Sequence, residues 1–384
     1  MNIIESGSIE ERIELLAKTI EPFADRADEN DKHGKFPFEN FEDLKSIGYP
    51  ALTVPTKYGG AAIGLKEMLK YQELISKADG STGLSIGWHM GIMKDMGEYN
   101  TWEEEKYAEV ARDTARTGAL LNNAATEPAT GSPTRGGRPE TTAEKNDDGW
   151  LINGRKSFTT LSPILTYFVV SASVDGTEAV ADFLIRNDRD GLSVDETWDS
   201  IAMKGSGSHD IVMDNVQVDE DDLVVYRTGG QKRPAGWLLH IPACYLGIAK
   251  AARDAAVSFA TEYSPNSIEG TISDLPNVKQ KIGEIELAIL ESDHLLYSVA
   301  EKWDDADEEA RLMMGPELGA VKLSVVNKAI EIVDLSMRIV GAKSLSEKSR
   351  LQRYYRDVRA GLHNPPMDDM TIVHLANQSI SKFI

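Results

Sequence analysis

Reactive side chains in this chain gather in two stretches. The first is Thr126-Glu127-Pro128-Ala129-Thr130-Gly131-Ser132, which follows a short apolar run from Gly118 to Ala125. Pro128 stops that run, while Gly131 and Ser132 let backbone approach a flat ligand and offer N–H and hydroxyl donors. The same composition also suits a plain turn, so the stretch reads as a ligand rim or as a turn. The second is Leu362-His363-Asn364-Pro365-Pro366-Met367-Asp368-Asp369. Its imidazole and carboxylates are groups that can exchange protons with a substrate. The opposing reading is that Asn364 caps a last helix with Pro365 at its first position, and that Asp368 and Asp369 answer the helix dipole. That dipole would make either carboxylate a poorer base. His89, alone on a mostly apolar helix, and Cys244, inside IPACYLGIA, read first as packing residues.

The elements that must position these groups fall into three blocks, expected at residues 1–114, 115–234 and 235–384. In the first, Ser8 and Glu11 form a capping-box pattern, and Ile9, Ile13, Leu16, Ile20 and Phe23 recur at helical spacing. They predict a helix from Ile9 to past Ala24. Further helices are expected from Pro37 to near Gly48, Leu65 to Ala78, Thr82 to Met96 and Thr101 to Arg112. From about Ala115, short β-rich runs follow at 119–125, 150–153, 157–160, 167–173, 180–185, 211–213 and 216–218, separated by Gly, Asn and Asp clusters. That spacing suggests an antiparallel barrel or sandwich rather than βαβ units. Gly205-Ser206-Gly207-Ser208 lacks the third glycine and following helix of a dinucleotide fingerprint. After Pro234, long helices are expected at 237–259, 276–303, 316–340, 346–362 and 366–383, bounded by Gly270, Gly315, Gly341 and Pro365.

Composition narrows the partners. The 384 residues carry 41 Lys and Arg against 62 Asp and Glu, a net charge of −21. Nucleic acid and anionic membranes would repel such a chain. The single cysteine, Cys244, rules out an intrachain disulfide. No apolar run approaches the roughly 18 residues that span a bilayer, and the N-terminus lacks the basic flank and apolar core of a secretory signal. A soluble, cytoplasmic protein without a metal centre is expected.

The α–β–α order, with Thr126-Glu127-Pro128 at the first strand end, resembles the acyl-CoA dehydrogenase superfamily of flavoproteins. Supporting markers are Val54-Pro55…Tyr58-Gly59-Gly60, Asp79-Gly80-Ser81-Thr82, Ile152-Asn153-Gly154-Arg155-Lys156, Ser206-Gly207-Ser208-His209-Asp210 and Tyr355-Arg356-Asp357-Val358-Arg359. The resemblance implies an α+β fold: an N-terminal helical domain, a middle antiparallel β-domain and a C-terminal four-helix bundle that assembles into dimers or tetramers. It implies FAD between the β-domain and the bundle. Ala125 and Thr126 would meet the flavin ring, Phe158 and Thr160 would flank it, and Ser132 would stand near the cofactor or the substrate. Gln280 and Gly341 would hold FAD across the subunit interface, and Glu127 would be structural.

The implied reaction is α,β-dehydrogenation of an acyl-CoA thioester in fatty acid metabolism, with electrons passed to an electron-transfer flavoprotein. Its glutamate base is missing, however. Pro365 stands at one family position, and the other falls near Trp237. Asp368 and Asp369 are the nearest substitutes. The CoA-gripping pair falls at Ala235 and Leu238, and the Arg-x-Phe-Gly run is replaced by Tyr263-Ser264-Pro265-Asn266. His363-Asn364-Pro365 instead resembles a run in reduced-flavin monooxygenases of the dibenzothiophene type. That points to oxygen as acceptor, with His363 and His89 in the pocket. A flavin-binding protein without dehydrogenase turnover is the third alternative.

Overall fold

The computed structural model describes residues 2–130, 137–227 and 233–383. Six helices come first: α1 (Ile9–Thr19), α2 (Phe23–His33), α3 (Phe38–Ser46), α4 (Leu65–Ala78), α5 (Gly80–Tyr99) and α6 (Glu104–Thr117). Ser8 caps α1 as its sequence predicts, its hydroxyl accepting from the Glu11 amide at 3.2 Å. The expected single helix to Ala24 is two, because Pro22 has no N–H to continue the ladder and α2 restarts behind it. Asp79 caps α5, accepting from the Ser81 and Thr82 amides and the Thr82 hydroxyl.

Eight strands follow: β1 (Leu121–Ala124), β2 (Thr142–Asn146), β3 (Gly149–Thr159), β4 (Tyr167–Val174), β5 (Val180–Arg186), β6 (Leu192–Asp195), β7 (His209–Val218) and β8 (Leu223–Arg227). They form one sheet in the order β6-β7-β3-β2-β4-β5-β8, with β1 paired to β4. Most pairings are antiparallel. The contacts of β1 and β2 with β4 are parallel, so the sheet is mixed. The runs expected at 150–153 and 157–160 are one strand, β3, kept continuous by pairing to β7 through two register shifts.

The last block holds α7 (His240–Glu262), α8 (Pro276–Asp305), α9 (Glu308–Leu312), α10 (Gly315–Val340), α11 (Arg350–Asp357) and α12 (Asp368–Ile380). Helices α7, α8 and α10 pack side by side with α11 and α12 against them, and α7 also lies along α4. The alanines of α7 (Ala249, Ala252, Ala256) are buried in the bundle core, where small side chains allow close helix approach. None of the described helices is long and apolar enough to cross a membrane.

Two contacts fix the helical blocks and the sheet to one another. Near the C-terminal end of α8, the Asp304 carboxylate accepts from the Leu65 and Lys66 amides at 2.6 and 2.8 Å, capping α4 from 239 residues away. At a second junction the buried Arg353 of α11 lies 3.0 Å from Asp28 of α2 and 3.9 Å from Asp79. Asp357 there accepts from the Met203 amide of the β-domain at 2.6 Å. Asp304→Ala removes both acceptors at the start of α4. It should cost about 1 kcal/mol of stability, read as a lower urea midpoint at unchanged slope; an unshifted midpoint would mean solvent caps α4 equally well.

Candidate functional site

Strand β1 ends at Ala124 and passes Ala125 and Thr126 alongside β3. The Ser157 amide donates to the Thr126 carbonyl at 2.8 Å, forming a single antiparallel bridge beyond the end of β1. That bridge sets Ala125 and Thr126 beside Phe158, Thr159 and Thr160. Four of the residues picked out in the sequence, Ala125, Thr126, Phe158 and Thr160, are therefore brought together. Ser132 lies outside the described residues.

A buried ion pair holds this arrangement. Lys156 Nζ lies 2.5 Å from Glu127 Oε1, with both side chains almost wholly removed from water. Glu127 also accepts from the Glu140 amide (2.6 Å), the Thr141 amide (3.1 Å) and the Thr141 hydroxyl (2.7 Å). Lys156 donates further to Ser171 Oγ at 3.3 Å. Burial alone would raise the Glu127 carboxyl; the ammonium and the surrounding donors outweigh it and hold the carboxyl below its ordinary range. Glu127 is thus a charged strut.

Phe158 sits at the β3 register shift with φ +56°, in the left-handed region that non-glycine residues seldom occupy. Its ring is 64% exposed and meets Trp198 edge-on at 6.1 Å. Thr159, beside it, buries a hydroxyl with no partner. The Thr160 hydroxyl joins Ser208 at 2.9 Å, and Ser208 joins Ser206 at 2.8 Å. An open aromatic face, a strained backbone and an orphaned hydroxyl at one strand end suit a flat, partly polar ring system.

Other expected site residues stand apart from this cluster. Gln280 is exposed on α8 and bonds Glu284 one turn along at 2.8 Å. Gly341 ends α10 at φ +71°, with open space where a side chain would be. No described hydrogen bond ties either to the cluster. His89 is corrected as a pocket residue. It is fully buried, its Nδ1 accepting from the Leu121 amide at 3.0 Å, which leaves Nε2 to donate to the Pro50 carbonyl at 3.1 Å. Both nitrogens are engaged, and burial pulls the ring down to about 4.

The second stretch also resolves into packing and pairing. Asn364 does not cap α12, whose N-cap is Met367; it accepts from the buried Tyr245 hydroxyl at 2.5 Å instead. Asp368 is tied to the buried Lys322 of α10 at 3.0 Å. Asp369 is exposed and bonds the next amide, that of Met370, at 2.9 Å. His363 is exposed at the end of a 3-10 turn. Pro365 has no titratable atom, and Trp237 is half-buried and stacked on His240. Lys322 and Tyr245 escaped the sequence reading, since neither belongs to a local motif. So did His240, which is fully buried next to Trp88 and Trp237 with both ring nitrogens unpartnered and is pulled down by burial to about 3. Cys244 is buried as expected, its thiol pushed up to about 12 by desolvation.

Three acyl-CoA dehydrogenase domain profiles match in order: the N-terminal domain over residues 10–115, the middle domain over 122–216 and the C-terminal domain over 239–364. A Bacillus subtilis protein, YdbM, provisionally named an acyl-CoA dehydrogenase, is 48% identical across 98% of both chains. L-evernosamine nitrososynthase of a Micromonospora strain is 29% identical over 96% of this chain and 89% of its own. Among solved structures, KijD3 in complex with FMN and a dTDP-linked amino keto sugar superposes with a TM-score of 0.85. It covers 98% of this chain and 95% of its own, at 24% identity.

Breaking the buried pair should be severe. Glu127→Gln leaves an uncompensated ammonium and should lose about 3–5 kcal/mol in urea denaturation, with partial recovery when Lys156→Met is added. A single-variant loss under about 1 kcal/mol would contradict a strut role. The two neutral imidazoles give a pH prediction. His89 and His240 titrate lower in the fold than in the unfolded chain, where imidazole sits near 6.5. The unfolded chain therefore takes up protons first as pH falls. Their stabilisation is complete above about pH 6.5 and is lost progressively as pH falls, toward pH 4 for His89 and pH 3 for His240. Melting temperature should drop across that window, and His240→Phe should flatten the drop; parallel curves would count against it.

Proposed function

The chain belongs to the acyl-CoA dehydrogenase family, and on that premise we propose that it is a flavin-dependent oxidoreductase whose ring site is the Ala125–Thr126 and Phe158–Thr160 cluster. The exposed, strained Phe158 and the unpaired Thr159 hydroxyl support this reading. The amides and hydroxyls there would hydrogen-bond the polar edge of the ring, and Phe158 with Trp198 would shield one side from water. Ser132 would complete the rim. FAD is the form that Gln280 and Gly341 would serve, since both sit at open positions where an adenosine end could lie. Leu287 and Leu290 on α8, 57% and 56% exposed, support a dimer or tetramer that covers that helix.

One feature of the sequence supports a choice between the possible reactions: neither position where the family resemblance would put a base carries a carboxylate. α-Proton removal from a thioester needs a positioned base. Asp368 is committed to Lys322, and Asp369 faces solvent. We therefore favour oxygenation, for which a reduced flavin held by the Ala125–Thr126 and Phe158–Thr160 cluster would supply the two electrons that let one atom of dioxygen enter the substrate and the other leave as water. In that reading the exposed His363 is the side chain that would hold or deliver a proton. Acyl-thioester dehydrogenation with electron-transfer flavoprotein as acceptor is the second reading, favoured by the provisional name of the 48% identical relative.

Both are tested on the purified, flavin-loaded protein. Anaerobic addition of acyl-CoAs of several chain lengths should leave the flavin absorbance unbleached, whereas reduced flavin with oxygen should oxygenate small aromatic or amino substrates. Bleaching with enoyl product would reverse the order of the two readings. His363→Ala should slow oxygenation about a hundredfold, while Asp368→Asn should change stability and leave turnover within about twofold. Loss of turnover in Asp368→Asn alone would return the base role to that carboxylate.

A further inference from the structure

Helix α5 is buried at every residue from Gly80 to Lys94 except Trp88. Trp237, on the 3-10 turn that leads into α7, is half-buried beside it. The two indoles meet edge-on at 5.7 Å, and His240 lies beneath both, 5.0 Å from Trp88 and parallel to Trp237 at 5.9 Å and 7°. Two glycines of α5 make room for these rings. A Cβ on Gly87 would stand 2.4 Å from His240 Nδ1, and one on Gly91 would stand 2.3 Å from the Trp237 ring. The crossing of α5 and α7 is thus built of aromatic faces, and its solvent edge is the pair of half-buried indoles. His89, next in sequence to Trp88, pins this part of α5 to Leu121 at the foot of β1.

His240 is out of place there if packing is all it does. A neutral imidazole carries one donor and one acceptor, and both are buried here without a partner among the described residues. Unmade hydrogen bonds in the interior are unfavourable, whereas a phenylalanine would fill similar space without that penalty. A buried polar group whose own fold gives it nothing to bond is poised for something that enters. The surrounding rings say what shape that is: flat faces and ring edges favour an aromatic guest in offset or edge-on contact.

We propose that His240 is a specificity-determining contact that hydrogen-bonds a polar substituent of a flat aromatic substrate admitted between α5 and α7 past Trp88 and Trp237. The proposal deepens the oxidoreductase reading by naming its substrate class, and it rests on that reading for where the reaction happens. Binding can be measured without turnover, so the two can fail separately.

The probes are 2-naphthol and 2-methylnaphthalene, which differ only in hydroxyl against methyl. Titration calorimetry on the purified protein should give 2-naphthol about tenfold tighter binding, the equivalent of one hydrogen bond to an otherwise unpaired buried group. His240→Phe should fold, melt no lower than the parent at pH 7 and bring the two affinities within about twofold. His240→Gln, which keeps a donor and an acceptor, should restore part of the preference. In 15N-histidine-labelled protein, one imidazole should shift its nitrogen resonances with 2-naphthol and not with 2-methylnaphthalene. Retention of the tenfold preference in His240→Phe overturns the proposal, as does failure of both probes to bind the parent. If the preference is present but no oxygenation or dehydrogenation is found, His240 stands and the assigned reaction falls.

Discussion

The Glu127–Lys156 ion pair is the constraint on which the candidate site depends. Two charges taken out of water are unfavourable unless each is matched and its remaining valences are filled. Here the carboxylate gathers a lysine, a hydroxyl and two amides, and the ammonium reaches a serine on β4. The pair thereby ties the segment leaving β1 to β2, β3 and β4 at one point. Thr126 can then bridge Ser157, and the next residue, Phe158, is turned outward through the register shift. Without a fixed anchor immediately upstream, a phenylalanine at φ +56° with most of its ring in water would relax toward ordinary strand geometry. Charge burial in the interior thus sustains strain at the surface.

A second charged knot sets where that surface stands relative to the helices. Arg353 and Arg356 of α11 reach Asp28 and Asp31 of α2, and Asp79 at the start of α5 receives Asn40 of α3. Asp357 holds the Met203 amide, so the β-domain is drawn into the same junction. Burial raises the Asp357 carboxyl to about 6 against the pull of Arg353, a sign that this junction is packed as well as charged. Helix α5, capped by Asp79 within the knot, carries Trp88 and His89 from there toward β1. The ring cluster and the strand-end site are consequently held in one frame.

Much of this could be read in the sequence where the signal is local. Ser8 capping α1, the turn at Gly48, helix α4 and the apolar spacing of α7, α8 and α10 all follow from neighbouring residues. The Thr-Glu-Pro stretch stood out as a ligand rim or a turn because its residue types are distinctive, while its bridge to β3 appears only in the fold. What escaped was non-local. The sheet order depends on pairings no residue announces, and β2, β6 and β8 are too short or too polar to stand out. Asp368 looked like an available carboxylate because Lys322, its partner, lies 46 residues upstream on another helix. His89 read first as a packing residue and became a pocket residue only through the monooxygenase resemblance; nothing near it in sequence reveals that Pro50 and Leu121 occupy both its nitrogens. His240 drew no notice because its oddity is a lack of partners, and only three dimensions expose that.

These contrasts separate two kinds of residue within one fold. Groups that position the flat site (Glu127, Lys156, Asp79, Arg353) are buried, charged and mutually dependent, so changing one leaves another unpaired at several kcal/mol, on the order of a buried-pair loss. Trp237 and Pro365 are uncharged: Trp237 is packed on aromatic rings, and Pro365 has no titratable atom. The indoles and the imidazole, which has no partner among the described residues, meet between α5 and α7. The same asymmetry explains why the family is evident from the framework while the reaction is decided by a few side chains outside it.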